Sequence, residues 1–102
     1  MTSEIAIAEE TELQPGQMKK VEVDGKKLLL ANADGKYYLV DEMCSHEDFS
    51  LYLGCIQDNR IKCSLHGSYF NLETGQPEEE PACEPIGTYA LSVKDGKVFY
   101  VK

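Results

Sequence analysis

The chain has 102 residues, of which 42% are apolar, and ten basic against eighteen acidic residues give it a formal net charge of -8 at pH 7. This length suits one domain with a modest core, which a bound metal would stabilise further. The negative charge argues against binding to nucleic acid phosphates or anionic membranes and favours basic protein partners. The start Met1-Thr2-Ser3-Glu4 lacks the features of a secretory signal, and no apolar run approaches the ~20 residues of a membrane span, so we expect a cytoplasmic protein.

The first forty residues predict a β-meander. Strands are predicted at residues 5–8, 18–23, 27–33 and 36–40. The turn signals between the last three are Asp24-Gly25 and Asp34-Gly35, dipeptides that supply the positive φ angles of tight hairpins. Aromatic and β-branched residues at 36–40 suit a half-buried sheet.

The second half of the chain continues in short strands. A turn around Asp58-Asn59 leads to a strand at 60–62, a further strand is predicted at 68–72, and a hairpin of 88–93 and 98–101 closes the chain. Residues 76–81 hold two prolines and three adjacent glutamates, so we expect a loop there. Since no stretch keeps a helical period and no repeat is found, the sequence predicts an all-β sandwich or small barrel.

Four side chains carry the best evidence of function. Cys44-Ser45-His46 and Cys63-Ser64-Leu65-His66 are two Cys/His pairs separated by sixteen residues, and thiolate and imidazole are ligands that soft or borderline metals prefer. Each pair follows a predicted strand and therefore lies in a loop. The remaining cysteines, Cys55 and Cys83, are expected to be small buried hydrophobic residues rather than ligands.

Two kinds of metal site fit these ligands. A structural zinc site uses Cys2His2 sets, although zinc fingers usually pair Cys with Cys and His with His, whereas each loop here offers one of each. A 2Fe-2S cluster has two irons that need two protein ligands each, and two histidines in place of two cysteines would give it unlike ends.

The two motifs resemble the ligand loops of the Rieske proteins. The likeness covers essentially the whole chain, because further residues fall where that family has them. These residues are Gly54, Gly67, Phe70, Thr74-Gly75 and Pro81-Ala82. The resemblance implies one 2Fe-2S cluster, with Cys44 and Cys63 on an inner iron and His46 and His66 on an outer iron near the surface.

The resemblance also implies the layout of the fold. We expect residues 1–102 to form a single Rieske 2Fe-2S domain, a small β-sandwich or barrel of short antiparallel strands with a cluster-binding subdomain of two loops. The cluster-binding loops are expected at about 43–54 and 63–70. A covering proline loop that contains Pro81 is expected at about 76–85 and would limit access of water to the cluster.

The surroundings of the ligands favour a low reduction potential. The high-potential respiratory Rieske proteins carry a disulfide between the two ligand loops, and Phe49 and Leu65 stand at the matching positions here. Those proteins also have a Ser and a Tyr as hydroxyl donors to the cluster sulfurs, whereas this chain has Ser68 and Phe70. Ser68 fits equally well as a solvent-facing strand residue. Rieske potentials span roughly -150 to +300 mV, and we predict a value toward the low end.

The chain resembles the ferredoxin components of bacterial Rieske non-haem iron dioxygenase systems, which act in aromatic hydrocarbon catabolism. The resemblance implies a monomeric electron carrier between a flavin-dependent ferredoxin reductase and a terminal oxygenase, with Cys83 as a framework residue. The chain itself is not expected to be an enzyme, because His46 and His66 are its only histidines and no mononuclear iron site remains. It also lacks a Gly-rich nucleotide fingerprint.

Three other functions remain open at this point. The chain resembles the small Rieske-like subunits of assimilatory nitrite reductases, and a ferredoxin of a multicomponent aromatic monooxygenase or a zinc-stabilised binding module is also compatible with it. Glu47 and Asp48, beside His46, are candidates for electrostatic steering toward a basic partner, or they form a solvated acidic loop. Glu78-Glu79-Glu80 is expected to be a solvated loop.

Overall fold

The fold is known from a computed structural model that describes residues 4–43, 50–62, 69–78 and 85–101. These residues form ten β-strands and one 3-10 helix, and the described ranges contain no α-helix. The elements in chain order are β1 (Glu4–Glu9), β2 (Met18–Val23), β3 (Lys26–Ala33), β4 (Lys36–Asp41), the 3-10 helix (Leu51–Leu53), β5 (Cys55–Gln57), β6 (Arg60–Lys62), β7 (Tyr69–Asn71), β8 (Thr88–Tyr89), β9 (Leu91–Lys94) and β10 (Lys97–Val101). The predicted all-β fold is therefore confirmed. In the part of the chain that is described, no helix is long and apolar enough to cross a membrane.

Tight turns of the predicted kind connect the hairpins. Asp24-Gly25 joins β2 to β3, Asp34-Gly35 joins β3 to β4, and Asp95-Gly96 joins β9 to β10. All six of these residues have positive φ, between 54° and 92°. Glycine adopts this conformation freely and aspartate tolerates it, which is why the dipeptide predicts a hairpin.

The strands form three antiparallel sheets that stack in three layers. The middle sheet has the order β2-β3-β4-β8, and it lies between a sheet of order β5-β6-β7 and a sheet of order β1-β10-β9. Strand β3 is buried on both faces, with Leu29 and Ala31 facing the first outer sheet and Leu28 and Leu30 facing the second. Because both faces of β3 are buried, its sequence is a run of apolar residues that does not alternate with polar ones.

Each interface between layers has its own hydrophobic core. The core between the middle sheet and β5-β6-β7 consists of Leu29, Ala31, Ala33, Val40, Leu51, Ile61, Phe70, Leu72 and Ile86. The core between the middle sheet and β1-β10-β9 consists of Val23, Leu28, Leu30, Leu39, Val98 and Tyr100. The first of these cores contains Leu51, which follows residues 44–49, and it lies beneath the sheet whose strands β6 and β7 flank residues 63–68.

The prediction of one strand over residues 88–93 was wrong. The chain forms two strands there, because Tyr89 of β8 pairs with Leu39 of β4 while Leu91 of β9 pairs with Tyr100 of β10. Ala90 lies between them and accepts a backbone hydrogen bond from Val101 at 3.1 Å. The polypeptide passes from the middle sheet to an outer sheet at this residue, and a change of sheet leaves no local signal in the sequence.

The prediction that Cys55 is buried was also wrong. Cys55 is exposed and its thiol is free. It begins β5, where side chains alternate: Ile56 packs against the core, and Cys55 and Gln57 point away from it. Cys83, the other cysteine of that prediction, lies outside the described residues.

Candidate metal centre

The four predicted ligands lie outside the described residues. Cys44 and His46 belong to residues 44–49, hereafter the first Cys/His segment, and Cys63 and His66 belong to residues 63–68, the second Cys/His segment. Within the described ranges, no group of three or more Cys, His, Asp or Glu side chains is arranged to hold a metal ion. The described residues that flank the two segments define the surroundings of the site.

The ends of the first Cys/His segment are held together by backbone and side-chain contacts. Met43 and Ser50 form an isolated antiparallel bridge. The backbone N–H of Leu51 donates to the carbonyl of Glu42 at 2.7 Å, and the Ser50 hydroxyl donates to the Glu42 carboxylate at 2.7 Å. Ser50 also caps the 3-10 helix by accepting from the Tyr52 N–H at 3.2 Å. The two flanks of the segment are thus bonded to each other, and these four residues, Glu42, Met43, Ser50 and Leu51, are called the base of the first segment.

The second Cys/His segment has an equally firm base. Lys62, the last residue of β6, pairs directly with Tyr69, the first residue of β7. Lys62 also pairs with Cys55, the first residue of β5. Cys55, Lys62 and Tyr69 therefore lie side by side at one end of this sheet.

Gly54 brings the base of the first segment against the base of the second. It follows the 3-10 helix, and a Cβ at this position would lie 1.7 Å from the carbonyl oxygen of Lys62. No side chain fits in that space, so residue 54 can lie this close to the Lys62 carbonyl only if it is a glycine. The flanks of both segments consequently meet at the same end of the β5-β6-β7 sheet.

A third stretch of chain runs to the same end. Gln76, Pro77 and Glu78 lie antiparallel to β7: Asn71 donates its N–H to Gln76 at 2.9 Å, and the Glu78 N–H donates to Tyr69 at 2.8 Å. Glu78 therefore lies beside Tyr69, at the end of β7 where the second Cys/His segment ends. Glu78 is exposed, as predicted, whereas Glu79, Glu80 and Pro81 lie outside the described residues.

Cations and aromatic rings flank both segments, which the sequence analysis did not detect. Lys20 lies 5.3 Å from the ring centre of Tyr52. At the second base, Arg60 lies 4.6 Å and Lys62 lies 5.7 Å from the ring centre of Tyr69. The members of these cation–ring pairs are far apart in sequence or lie on different strands, so their contacts become visible only once the pairing of the strands is known. Positive charge at these bases favours an additional negative charge nearby.

Asp41 at the end of β4 was not recognised from the sequence either. Its carboxylate accepts the N–H of Gly87 at 2.7 Å and the hydroxyl of Tyr89 at 2.6 Å. The hydrogen bond to Asp41, together with burial, raises the pKa of Tyr89 to about 12. This phenol therefore stays protonated and acts as a donor.

The donor set of the two segments fits an iron-sulfur cluster. Two thiols and two imidazoles, one of each on either segment, are what a 2Fe-2S centre of unlike ends requires. Zinc accepts the same four donors, so the chemistry of the donors does not separate the two metals. Comparison with known proteins does.

The Rieske 2Fe-2S domain family matches residues 3–90 of the chain. This chain belongs to the Rieske 2Fe-2S domain family. The cofactor of this Rieske domain is accordingly a Rieske-type 2Fe-2S cluster. The prediction of the family and of the cofactor is confirmed, and zinc is set aside.

A curated relative of this Rieske domain is the 3-phenylpropionate/cinnamic acid dioxygenase ferredoxin subunit of Photorhabdus laumondii. The two are 36% identical over 98 residues, which cover 95% of this chain and 92% of the relative. The similarity thus extends over nearly the full length of both chains.

Solved structures agree with the fold. The ferredoxin of Sphingomonas yanoikuyae B1 superposes with a TM-score of 0.91 at 26% identity, over 98% of this chain and 99% of that chain. A chain in the complex of reduced oxygenase and oxidized ferredoxin of carbazole 1,9a-dioxygenase superposes with a TM-score of 0.89 at 28% identity, over 95% and 91% of the two chains. The predicted Rieske-type architecture is therefore confirmed.

Proposed function

We propose that this Rieske domain is a one-electron carrier that takes electrons from a flavin-dependent ferredoxin reductase and delivers them to a terminal oxygenase. Its 2Fe-2S cluster supplies a centre that accepts and releases one electron at a time. The chain is an electron-transfer component rather than an enzyme, in keeping with relatives that are named as ferredoxin subunits of dioxygenases.

We assign the cluster ligands to Cys44, His46, Cys63 and His66. The observation that supports this assignment is the convergence of the two bases, since Gly54 touches the Lys62 carbonyl and Lys62 pairs with Tyr69. Each base precedes one cysteine and one histidine. Two thiolates and two sulfides would together cancel the charge of two ferric ions, and the two neutral imidazoles would make addition of an electron easier than four thiolates would.

The domain layout supports the same function. We propose that residues 1–102 act as a single Rieske domain with cluster-binding loops at about 43–54 and 63–70 and a covering loop at about 76–85. Phe70, at the position of the second hydroxyl donor in high-potential Rieske proteins, is fully buried in the core and has no hydroxyl. A potential toward the low end of roughly -150 to +300 mV follows.

The terminal oxygenase is the better supported partner. A similar chain occurs in the complex of reduced oxygenase and oxidized ferredoxin of carbazole 1,9a-dioxygenase. The reductase and the monomeric state are extensions of this proposal. A cytoplasmic location suits it as well, because the exposed free thiol of Cys55 persists in a reducing compartment.

The ligand assignment is tested with His46→Ala and His66→Ala. Each variant should lose the visible absorption and the one-electron redox transition of the wild-type protein, while a Cys55→Ser control should keep both, since Cys55 is exposed and paired in β5. Wild-type spectra and potential in either histidine variant would refute the assignment. A protein that purifies coloured and without a large partner chain would favour the carrier over a nitrite reductase subunit.

Steering of the partner is tested by salt. Glu47 and Asp48 are proposed to attract a basic partner, so the rate of electron transfer to the basic probe cytochrome c should fall about threefold or more between about 0.01 and 0.15 M salt. Replacing both by Glu47→Gln and Asp48→Asn should weaken this dependence. The matched control is Asp58→Asn with Glu73→Gln, exposed charges at the opposite end of the sheet. Equal effects of the two double variants would remove Glu47 and Asp48 from the steering mechanism.

A further inference from the structure

The end of β4 is fastened to the chain near β8 through both the backbone and the side chain of Asp41. The backbone N–H of Asp41 donates to the carbonyl of Gly87 at 3.0 Å. In return the N–H of Gly87 donates to one carboxylate oxygen of Asp41 at 2.7 Å, and the Tyr89 hydroxyl donates to the other at 2.6 Å. Both oxygens of the carboxylate are thus engaged.

These contacts add strength where the strand ladder is weak. Strand β8 has only the two residues Thr88 and Tyr89, which pair with Val40 and Leu39. Hydrogen bonds to an ionised carboxylate are roughly twice as strong as neutral ones, so Asp41 extends a short ladder with two strong bonds. Without them, the backbone bond from Asp41 to the Gly87 carbonyl would be the one described bond left between these two residues.

The fit around the carboxylate is close enough to fix its orientation. A Cβ on residue 87 would lie 2.8 Å from the Asp41 carboxylate and 3.0 Å from the Tyr89 hydroxyl, so a side chain there would have to displace these groups. Lys26 lies over the Tyr89 ring, 5.6 Å from its centre, and adds a cation–π contact. The Asp41 carboxylate, the Gly87 N–H and the Tyr89 hydroxyl therefore form a specific, closely packed contact.

We propose that Asp41 is a positioning residue for the first Cys/His segment, acting through Gly87 and Tyr89. Asp41 lies three residues before Cys44 along the chain. By holding the end of β4, its carboxylate fixes the backbone from which Cys44 and His46 start. This role rests on the proposed assignment of those two residues as ligands.

The expected consequence is a change in potential when the contact is weakened. A looser start of the segment admits water, and a more polar environment stabilises the negatively charged reduced state over the nearly neutral oxidised state. The potential should therefore rise. Tyr89→Phe is the informative variant because it removes one hydrogen bond and leaves every charge in place.

The experiment compares Tyr89→Phe and Asp41→Asn with the control Tyr37→Phe by redox titration of the iron-loaded proteins. Tyr37 also donates its hydroxyl to an oxygen, the backbone carbonyl of Glu10, but it lies near the start of β4, whereas Asp41 is the last residue of that strand. At a fixed applied potential, the ratio of reduced to oxidised cluster should rise about threefold in Tyr89→Phe, which corresponds to about 28 mV at ~59 mV per tenfold change. It should rise further in Asp41→Asn, which also removes a negative charge, and stay unchanged in the control.

A second measurement does not depend on the cluster. Hydrogen exchange across residues 85–89, measured by mass spectrometry, should accelerate in Tyr89→Phe and not in Tyr37→Phe. An unchanged potential in Tyr89→Phe, or a shift equal to that of Tyr37→Phe, would overturn the positioning role. If the wild-type protein itself showed no one-electron transition, the proposed carrier function would be refuted. A wild-type transition whose potential is unchanged in Tyr89→Phe would refute only the positioning role of Asp41, so the two failures are distinguishable.

Discussion

Gly54 shows how much can depend on a missing side chain. Its position against the Lys62 carbonyl, where a Cβ would lie at 1.7 Å, joins the flanks of the two Cys/His segments. The contact is with backbone, which cannot rotate away, so a substitution must push the 3-10 helix off β6.

Gly54→Ala should therefore destabilise the protein by about 3 kcal/mol and reduce the amount of bound iron. Gly35→Ala is the matched control, since Gly35 has φ +92° but open space around it. That variant should cost about 1–2 kcal/mol from backbone strain alone and keep its iron. Urea unfolding and iron analysis measure both quantities, and iron loss of equal size in the two variants would contradict this role of Gly54.

Tyr89 gives a prediction for pH dependence. Its pKa rises from 10.0 to about 12, first because of the hydrogen bond to Asp41 and then because of burial. Because the folded pKa lies above the unfolded one, the stabilisation is fully present below about pH 10 and is lost as the pH rises through about 12.

Titration of the six tyrosines by ultraviolet absorption should thus show a last ionisation near pH 12 that Tyr89→Phe abolishes. In Asp41→Asn, where the acceptor is no longer charged, that ionisation should move toward 10.0, the ordinary value. A last ionisation that survives in Tyr89→Phe would show that another phenol is responsible.

The limits of sequence analysis are clearest for single residues. The Cys/His motifs were recognisable because the cysteine and the histidine of each pair are close in sequence. The role of Asp41 was not, because its partners Gly87 and Tyr89 lie 46 and 48 residues away. Cys55 was misjudged for a similar reason, since the exposure of an edge-strand residue depends on what packs against the sheet.

Strand β3 is the element on which both cores depend. Its residues alternate between the two interfaces, with Leu29 in the core beneath β5-β6-β7 and Leu30 in the core beneath β1-β10-β9. Both side chains are fully buried. The two neighbouring leucines therefore allow the interfaces to be disturbed one at a time.

Leu29→Ala and Leu30→Ala should each lower the free energy of unfolding by about 2–5 kcal/mol. Only Leu29→Ala should also speed the loss of iron to a chelator, because Leu29 shares a core with Leu51 of the first base and with the sheet that carries the second base. Chemical unfolding and chelation kinetics test this. Equal rates of iron loss in the two variants would show that the cores do not act separately on the site.

For strands and turns, the features determined by adjacent residues were predicted correctly, whereas those determined by distant residues were not. The Asp-Gly turns predicted three hairpins because the positive φ angles that they supply are a property of two adjacent residues. The division of residues 88–93 into β8 and β9 depends on pairing with β4 and β10 instead. No local pattern carries that information.

For the molecule as a whole, the three-layer stack brings the flanks of both Cys/His segments to one end of an outer sheet. Strand β3 of the middle sheet is buried on both faces. In the β5-β6-β7 sheet, Lys62 and Tyr69, which flank the second Cys/His segment, pair directly with each other. This arrangement suits a carrier, whose redox centre must be held firmly and yet reach a partner. The net charge of -8 adds long-range attraction to basic proteins.

The central claim is a 2Fe-2S cluster held by two cysteines and two histidines of this chain. Its most direct test is electron paramagnetic resonance of the dithionite-reduced wild-type protein, combined with analysis of iron, sulfide and zinc. The account predicts two irons and two sulfides per chain and a signal with an average g value below about 2, as expected for histidine-ligated 2Fe-2S centres. One zinc per chain, without iron or sulfide and without a signal, would contradict it.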